Sequence, residues 1–159
     1  FDINFYDEDL LRIARSGGLL GLQLDERRVG SPAALRKAKG HLQRRKILFH
    51  WAGLVWNQVR HVAELLDREG LFAWGSLALG TDFDGIVDPI NGYWTHEELP
   101  ALSDFLLMHA HNYLTGPGGP ALTLPANRTV GEEEIVSRIM ADNALEFLLK
   151  HLPAGADPA

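Results

Sequence analysis

A short apolar run, Ser76-Leu77-Ala78-Leu79, passes through Gly80-Thr81 directly into Asp82-Phe83-Asp84 and stops at Gly85. An apolar strand that delivers carboxylates at its carboxyl end is what α/β barrels and open α/β sheets place beside their ligands. Helices cover the faces of such sheets, and the strand ends are where chemistry meets solvent. Asp82 is therefore the first residue that a functional reading has to explain.

The 159 residues, 46% of them hydrophobic, can bury the core of one globular domain. A net charge of -6 argues against a polyanion-binding surface and hence against a nucleic-acid partner, because Lys and Arg contacts to phosphate supply most of that affinity. With no cysteine, disulfides and thiolate zinc sites are excluded, and His, Asp and Glu remain as the strong metal ligands. The apolar stretch from Ile47 to Trp56 is interrupted by His50 and is far short of the roughly 20 residues a membrane span needs, so no transmembrane segment is expected. Phe1 opens the chain without a methionine or a leader-like segment, which reads as a cut start. The compartment is left open, with a soluble, cytoplasmic setting as the working expectation.

Along the chain, Asp7 to Ala14 has helical apolar spacing with a stop at Gly17-Gly18, and Leu19 to Leu24 reads as a strand. The charged turn Asp25-Glu26-Arg27-Arg28 follows, then a helix start at Ser31-Pro32. Gly40 separates that helix from a second, whose stripe Ile47, Trp51, Leu54, Val55, Val59, Val62 and Leu66 repeats at three- and four-residue steps. After the strand at residues 76–80, Thr95-x-x-Glu98 forms a capping box opening a helix toward Tyr113. Thr115 to Arg128, rich in Gly and Pro, reads as an inserted surface loop centred near 114–128. Thr129-x-x-Glu132 repeats the capping signature before a last helical region to about Leu152, with Pro153 to Ala159 frayed. Two strands separated by helices imply parallel pairing through a right-handed crossover. Such a pair leaves both sheet edges open, so either the helices cover a very small sheet or the chain is one portion of a larger barrel.

A carboxylate at Asp82 could bind a cation or take a proton from metal-bound water, although an aspartate in a strand-to-loop turn also serves to accept backbone N–H groups. Asp84 leaves on a different heading and reads as structural. Among the seven histidines no i, i+4 pair beside glutamate marks a zincin. His109 and His111, two apart on a helix, point away from each other, and His61 reads as a packing or capping residue. Arg27 or Arg28, just past the first strand, could pair with a substrate carboxylate, against the alternative of a solvated loop. Trp51, Trp56, Trp74 and Trp94 are expected to pack core or interface surface.

An ordered series of features resembles the membrane (renal) dipeptidases, zinc metallopeptidases of the amidohydrolase superfamily. Asn4-x-x-Asp7-x-x-Leu10 followed by Ile13-Ala14 and Gly17 to Gly21 resembles that family's passage from helix 6 to strand 7, and Val59 to Leu66 its helix before strand 8. Leu79 to Gly85 is similar to its G-S-D-F-D-G, Leu99 to Leu102 to its following P-A-L helix start, and Ala141-Asp142-Asn143 to its late G-G-N. The resemblance implies the carboxy-terminal portion of a (β/α)8 TIM barrel, contributing strands 7 and 8 over residues 1–159. It also implies that Asp82 lies against a binuclear zinc centre and handles the proton of the bridging water, with most zinc ligands on upstream strands outside this chain. Ile3 stands where the family's usual substrate-carboxylate arginine is found.

These readings make the chain part of a metal-dependent dipeptidase acting on a dipeptide or similar small amide, inactive without the upstream barrel strands. Its expected partners are a small peptide substrate, the remaining amino-terminal barrel segment and, in a homo-oligomer, further copies. The alternatives are a non-catalytic scaffold domain that retains the barrel signature and another amidohydrolase-type enzyme.

Overall fold

The structure, a computed structural model, describes residues 5–85 and 88–152 and shows a mixed α/β chain, mostly helical, around one two-stranded parallel sheet. Ile3, Asn4 and Pro153 to Ala159, which carried part of the sequence reading, lie outside the described residues. Among the described residues no helix is long and apolar enough to cross a membrane.

Helix α1 spans Asp7–Arg15, with Asp7, Glu8 and Asp9 in its first turn and Arg12 and Arg15 toward its last, so both ends complement the helix dipole. It ends where expected. Gly17 takes a φ of 70°, open to glycine at little cost, and the Gly18 amide donates back to Ile13 O. Strand β1 covers Leu20–Leu22 and β2 covers Leu77–Leu79. The strand expected over Leu19 to Leu24 is shorter because Leu24 leaves the ladder, its carbonyl accepting instead from Ile90 N in the loop after β2. The turn expected over Asp25 to Arg28 is the start of a one-turn helix, α2 (Glu26–Val29), with Asp25 at its N-cap. Helix α3 (Pro32–Lys39) starts on the Ser31 cap, and α4 (Arg44–Arg68) carries the apolar stripe and begins three residues before Ile47.

The two strands pair in parallel, with Leu20 opposite Leu77, Gly21 opposite Ala78 and Leu22 opposite Leu79. Leu20, Leu22, Leu77 and Leu79 share one face and pack with the helices into a single apolar cluster, whose largest fully buried members include Trp51, Trp74, Tyr93 and Leu66. The other face bears Gly21, Ala78 and Gly80, nothing larger than a methyl. A Cβ on Gly80 would come within 2.9 Å of Gly21 Cα, so glycine is what lets the strands approach there. Of the four tryptophans expected in core or interface, Trp51, Trp56 and Trp74 are buried and Trp94 is 56% exposed.

The Thr95 box forms as expected. Thr95 Oγ1 accepts from Glu97 N, Glu98 accepts from Thr95 N at 2.8 Å, and a 3₁₀ turn (His96–Glu98) leads into α5 (Leu99–Thr115). The Thr129 box does not form. Thr129 closes the one-turn helix α6 (Pro125–Arg128), and the next helix, α7 (Glu132–Ser137), starts from Gly131, whose carbonyl accepts from Ile135 N. A π-helical stretch, Arg138–Asp142, then widens the turn before α8 (Asn143–His151).

The Gly- and Pro-rich stretch from Thr115 to Arg128 is anchored at its far end rather than merely solvated. Asp67, 2% exposed at the end of α4, accepts from Thr123 N and Oγ1, Leu124 N and Asn127 Nδ2 at 2.6 to 3.0 Å. Asn127 is fully buried and also binds Ala73 N and Leu71 O. Burial pushes the Asp67 carboxyl up, but the bonds from Asn127, Thr123 and Leu124 outweigh it and hold the pKa at about 2.

Candidate functional site

Parallel pairing sends the carboxyl ends of β1 and β2 to the same side of the sheet, and each strand delivers one polar side chain there. One residue past β1, Gln23 donates from Nε2 to Asp82 Oδ2 at 2.5 Å. Asp82, three residues past β2, has a φ of 55°, the left-handed conformation that aspartate and asparagine adopt more readily than most residues. The chain turns sharply there, closed by a Gly85 N–H donating to Asp82 O at 2.9 Å. A Cβ at Gly85 would collide with the Asp82 carboxylate, which gives the glycine of D-F-D-G a steric reason. The Asp82 side chain is exposed, and among the described residues its bond is to Gln23 and to no main-chain amide. Asp84 is exposed beside it, while Phe83 packs against the core and holds the loop down.

The two candidate arginines part company. Arg27 folds back on Asp25, which is 1% exposed, pairing through Nε at 2.9 Å and through its terminal nitrogen. That hydrogen bond holds the Asp25 carboxyl below its usual range against the opposing pull of burial. Arg27 is thus committed to a structural pair. Arg28 instead lines a cavity of about 190 Å³ together with Gln23, Leu20, Leu22, Gln58 and Val62. Gln23 lies in the wall of this cavity and on Asp82, so it joins the two.

The cavity runs along the outer edge of β1. Leu20 donates its amide to Ser76 O and Leu22 accepts from Gly80 N, so both turn their polar groups toward β2. By alternation Gly21 turns its own to the open side. The corresponding edge of β2 is treated differently. Asn143, 3% exposed, donates to Trp74 O and Leu77 O at 2.8 and 2.7 Å, and the π-helical stretch before it sets the side chain against the strand. Sequence reasoning matched Asn143 to a motif without a role, and its role here is to fasten the last helices to β2. Gln23 was missed outright. A lone glutamine after a strand gives no signal until its partner across the sheet is known.

The histidines take separate duties. His61 Nε2 pairs with Asp7 at 2.8 Å, His111 Nδ1 with Glu132 at 3.0 Å, and His109 Nε2 with Phe49 O at 2.8 Å. His109 and His111 do not converge. Among the described residues no group of three or more His, Asp or Glu side chains is placed to hold a metal. The described residues alone therefore do not assemble the binuclear zinc site that the resemblance implies.

No protein-family model, no curated protein and no solved structure matches this chain.

Proposed function

We propose that this chain is the strand 7 to strand 8 portion of a (β/α)8 metal-dependent hydrolase that cleaves a dipeptide or similar small amide, with Asp82 as the proton-transferring carboxylate at the barrel mouth. The observation that carries this reading is the position of Asp82: solvent-facing, at the shared carboxyl end of two parallel strands, on a turn where glycine at position 85 leaves room for its carboxylate. In barrels that end of the sheet holds the chemistry. The helices pack on the leucine face of the sheet, as an outer ring would, and the opposite face carries only the small residues Gly21, Ala78 and Gly80. The β1 edge, open among the described residues, would take a preceding strand, and strand 1, which closes such a barrel on β2, would have to pair beyond the Leu77 carbonyl that Asn143 occupies. Helix α8 and the residue after it expose Leu145, Leu148, Leu149 and Leu152, more apolar surface than one helix of a finished fold usually leaves bare, which upstream barrel elements would cover.

In amide hydrolysis the leaving nitrogen must gain a proton as the attacking water loses one. A carboxylate within hydrogen-bond reach of both can carry it. Gln23 holds one oxygen of Asp82 and leaves the other for that exchange. On this reading Arg28, which lines the cavity together with Gln23, would pair with a substrate carboxylate. Zinc ligands, on this reading, come from strands preceding this segment.

The full-length protein, assayed with zinc against dipeptides, lactones and nucleobases, is expected to turn over dipeptides. Turnover confined to lactones or nucleobases would move it to another amidohydrolase-type reaction, and turnover of none would favour the scaffold alternative.

A further inference from the structure

Residues 27–63 contain nine of the fifteen Lys and Arg residues and no Asp or Glu, in a chain whose net charge is -6. Folding gathers much of that charge at the corner where α3 turns into α4. Arg36, Lys37, Arg44, Arg45 and Lys46 are exposed, and among the described residues none of them has a carboxylate partner, whereas Lys39 pairs with Glu26. Beside the corner lies a cavity of about 320 Å³ between α3, α4 and α5, lined by Lys37, His50, Asn57 and His109 with Ala34 and Leu54. Its walls are fixed. Gly53 leaves room for the His109 ring, which a Cβ there would meet at 3.0 Å, and the ring stacks on Phe49 at 4.2 Å. The His41 ring lies parallel to that of His50 at 3.9 Å, holding the connecting loop against α4.

Every charged or titratable group that bears on His50 is basic. Burial first, then His41, Lys37, His109 and Lys46, depress its pKa, and these neighbours come from the α3–α4 loop, α3, α5 and α4 itself. A site in which all neighbours disfavour positive charge holds an uncompensated positive potential, which an anion would relieve. Lys37 and the lack of any lining carboxylate make it unsuited to a cation. Lys37, His50 and Asn57 supply donors from α3 and α4, the His109 Nε2–H being given to Phe49 O, and the surrounding positive charge favours the doubly charged phosphate of a monoester over a singly charged carboxylate. The volume, at the lower end of the roughly 300–1,000 Å³ of small-molecule pockets, admits more than a bare ion.

From this we infer that the cavity between α3, α4 and α5 is a binding site for a phosphomonoester group, held by Lys37, His50 and Asn57, with the His109 ring as one wall. The site shares no residue with the strand-end site and does not depend on the reading of that site.

The test is calorimetric titration of the full-length protein with inorganic phosphate and, separately, with acetate at equal ionic strength, alongside sedimentation with vesicles of phosphatidylcholine containing or lacking a phosphoinositide. Binding of phosphate over acetate is expected, with the His50 ring signals titrating at higher pH in its presence. The affinity should fall at least tenfold in Lys37→Ala and in His50→Gln and stay unchanged in Lys150→Ala. Two single variants guard against one that misfolds, and their far-ultraviolet circular dichroism should match the parent. Phosphoinositide-dependent sedimentation that Lys37→Ala abolishes would place the phosphate on a lipid headgroup, and phosphate binding without it would place it on a soluble ligand. Phosphate bound no better than acetate, with no phosphoinositide-dependent sedimentation, overturns the proposal. So does binding unchanged in both variants, or sedimentation that follows bulk anionic lipid and the 97% exposed Leu42 rather than Lys37.

Discussion

Asp82 and Asp67 are both aspartates beside turns, yet one faces solvent with a single side-chain partner and the other is buried under four hydrogen bonds. Asp67→Ala removes the acceptor of all four bonds, leaves the half-buried Leu124 amide without it and opens a void at a buried position, and should lower unfolding stability by about 2 kcal/mol, readable in urea melts. The pH dependence has a definite sign. The Asp67 pKa is lowered from 3.8 unfolded to about 2 folded, so its stabilising contribution is fully present above the unfolded value and is lost as pH falls from about 4 through 2. An acid titration of the melting temperature should show a fall in that window that Asp67→Asn blunts. The Asp82 position was legible in the sequence, because an apolar run ending in Thr-Asp-Phe-Asp-Gly states where a strand stops and what it delivers. Asp67 was not, because its partners Thr123, Leu124 and Asn127 lie more than fifty residues away, in a segment whose glycines and prolines indicate only that it is not a helix.

At the scale of the element, capping signatures were right once and wrong once. Thr95 and Glu98 meet reciprocally, but Thr129 is spent on ending α6, and Gly131 starts α7. Thr95→Ala should therefore cost about 1 kcal/mol of stability while Thr129→Ala costs little, a contrast that thermal denaturation of the two variants can check. Local pattern specifies a cap only when no neighbouring turn claims the same residue. The strands show the same limit. Their existence and parallel pairing were readable from the apolar runs and the intervening helices, and their ends were not, because Leu24 gives its carbonyl to Ile90 across a loop. Gly80→Ala, which forces a methyl against Gly21, should open the sheet and destabilise by about 1–3 kcal/mol, with β1 and β2 amides losing hydrogen-exchange protection first.

Across the whole molecule, a two-stranded parallel sheet whose β1 edge is bare among the described residues is not a closed architecture. Sequence spacing could reveal the shortage of strands but not which edge was open, since the Asn143 clamp on β2 joins residues 66 positions apart. If a preceding strand seats against β1, the Gly21 amide in the full-length protein should exchange with deuterium as slowly as those of Leu20 and Leu22. Fast exchange at Gly21 alone would show that edge unpaired and would count against the barrel. The measurement that bears most directly on the strand-end site is the dipeptide hydrolysis rate of full-length protein carrying Asp82→Asn, taken with its melting temperature. Asparagine tolerates the left-handed backbone and can keep a hydrogen bond to Gln23, so the fold should be retained within about 0.5 kcal/mol. The account expects kcat to fall about 10²-fold or more at unchanged stability. Undiminished turnover in that variant, or a rate lost only in step with unfolding, would contradict it.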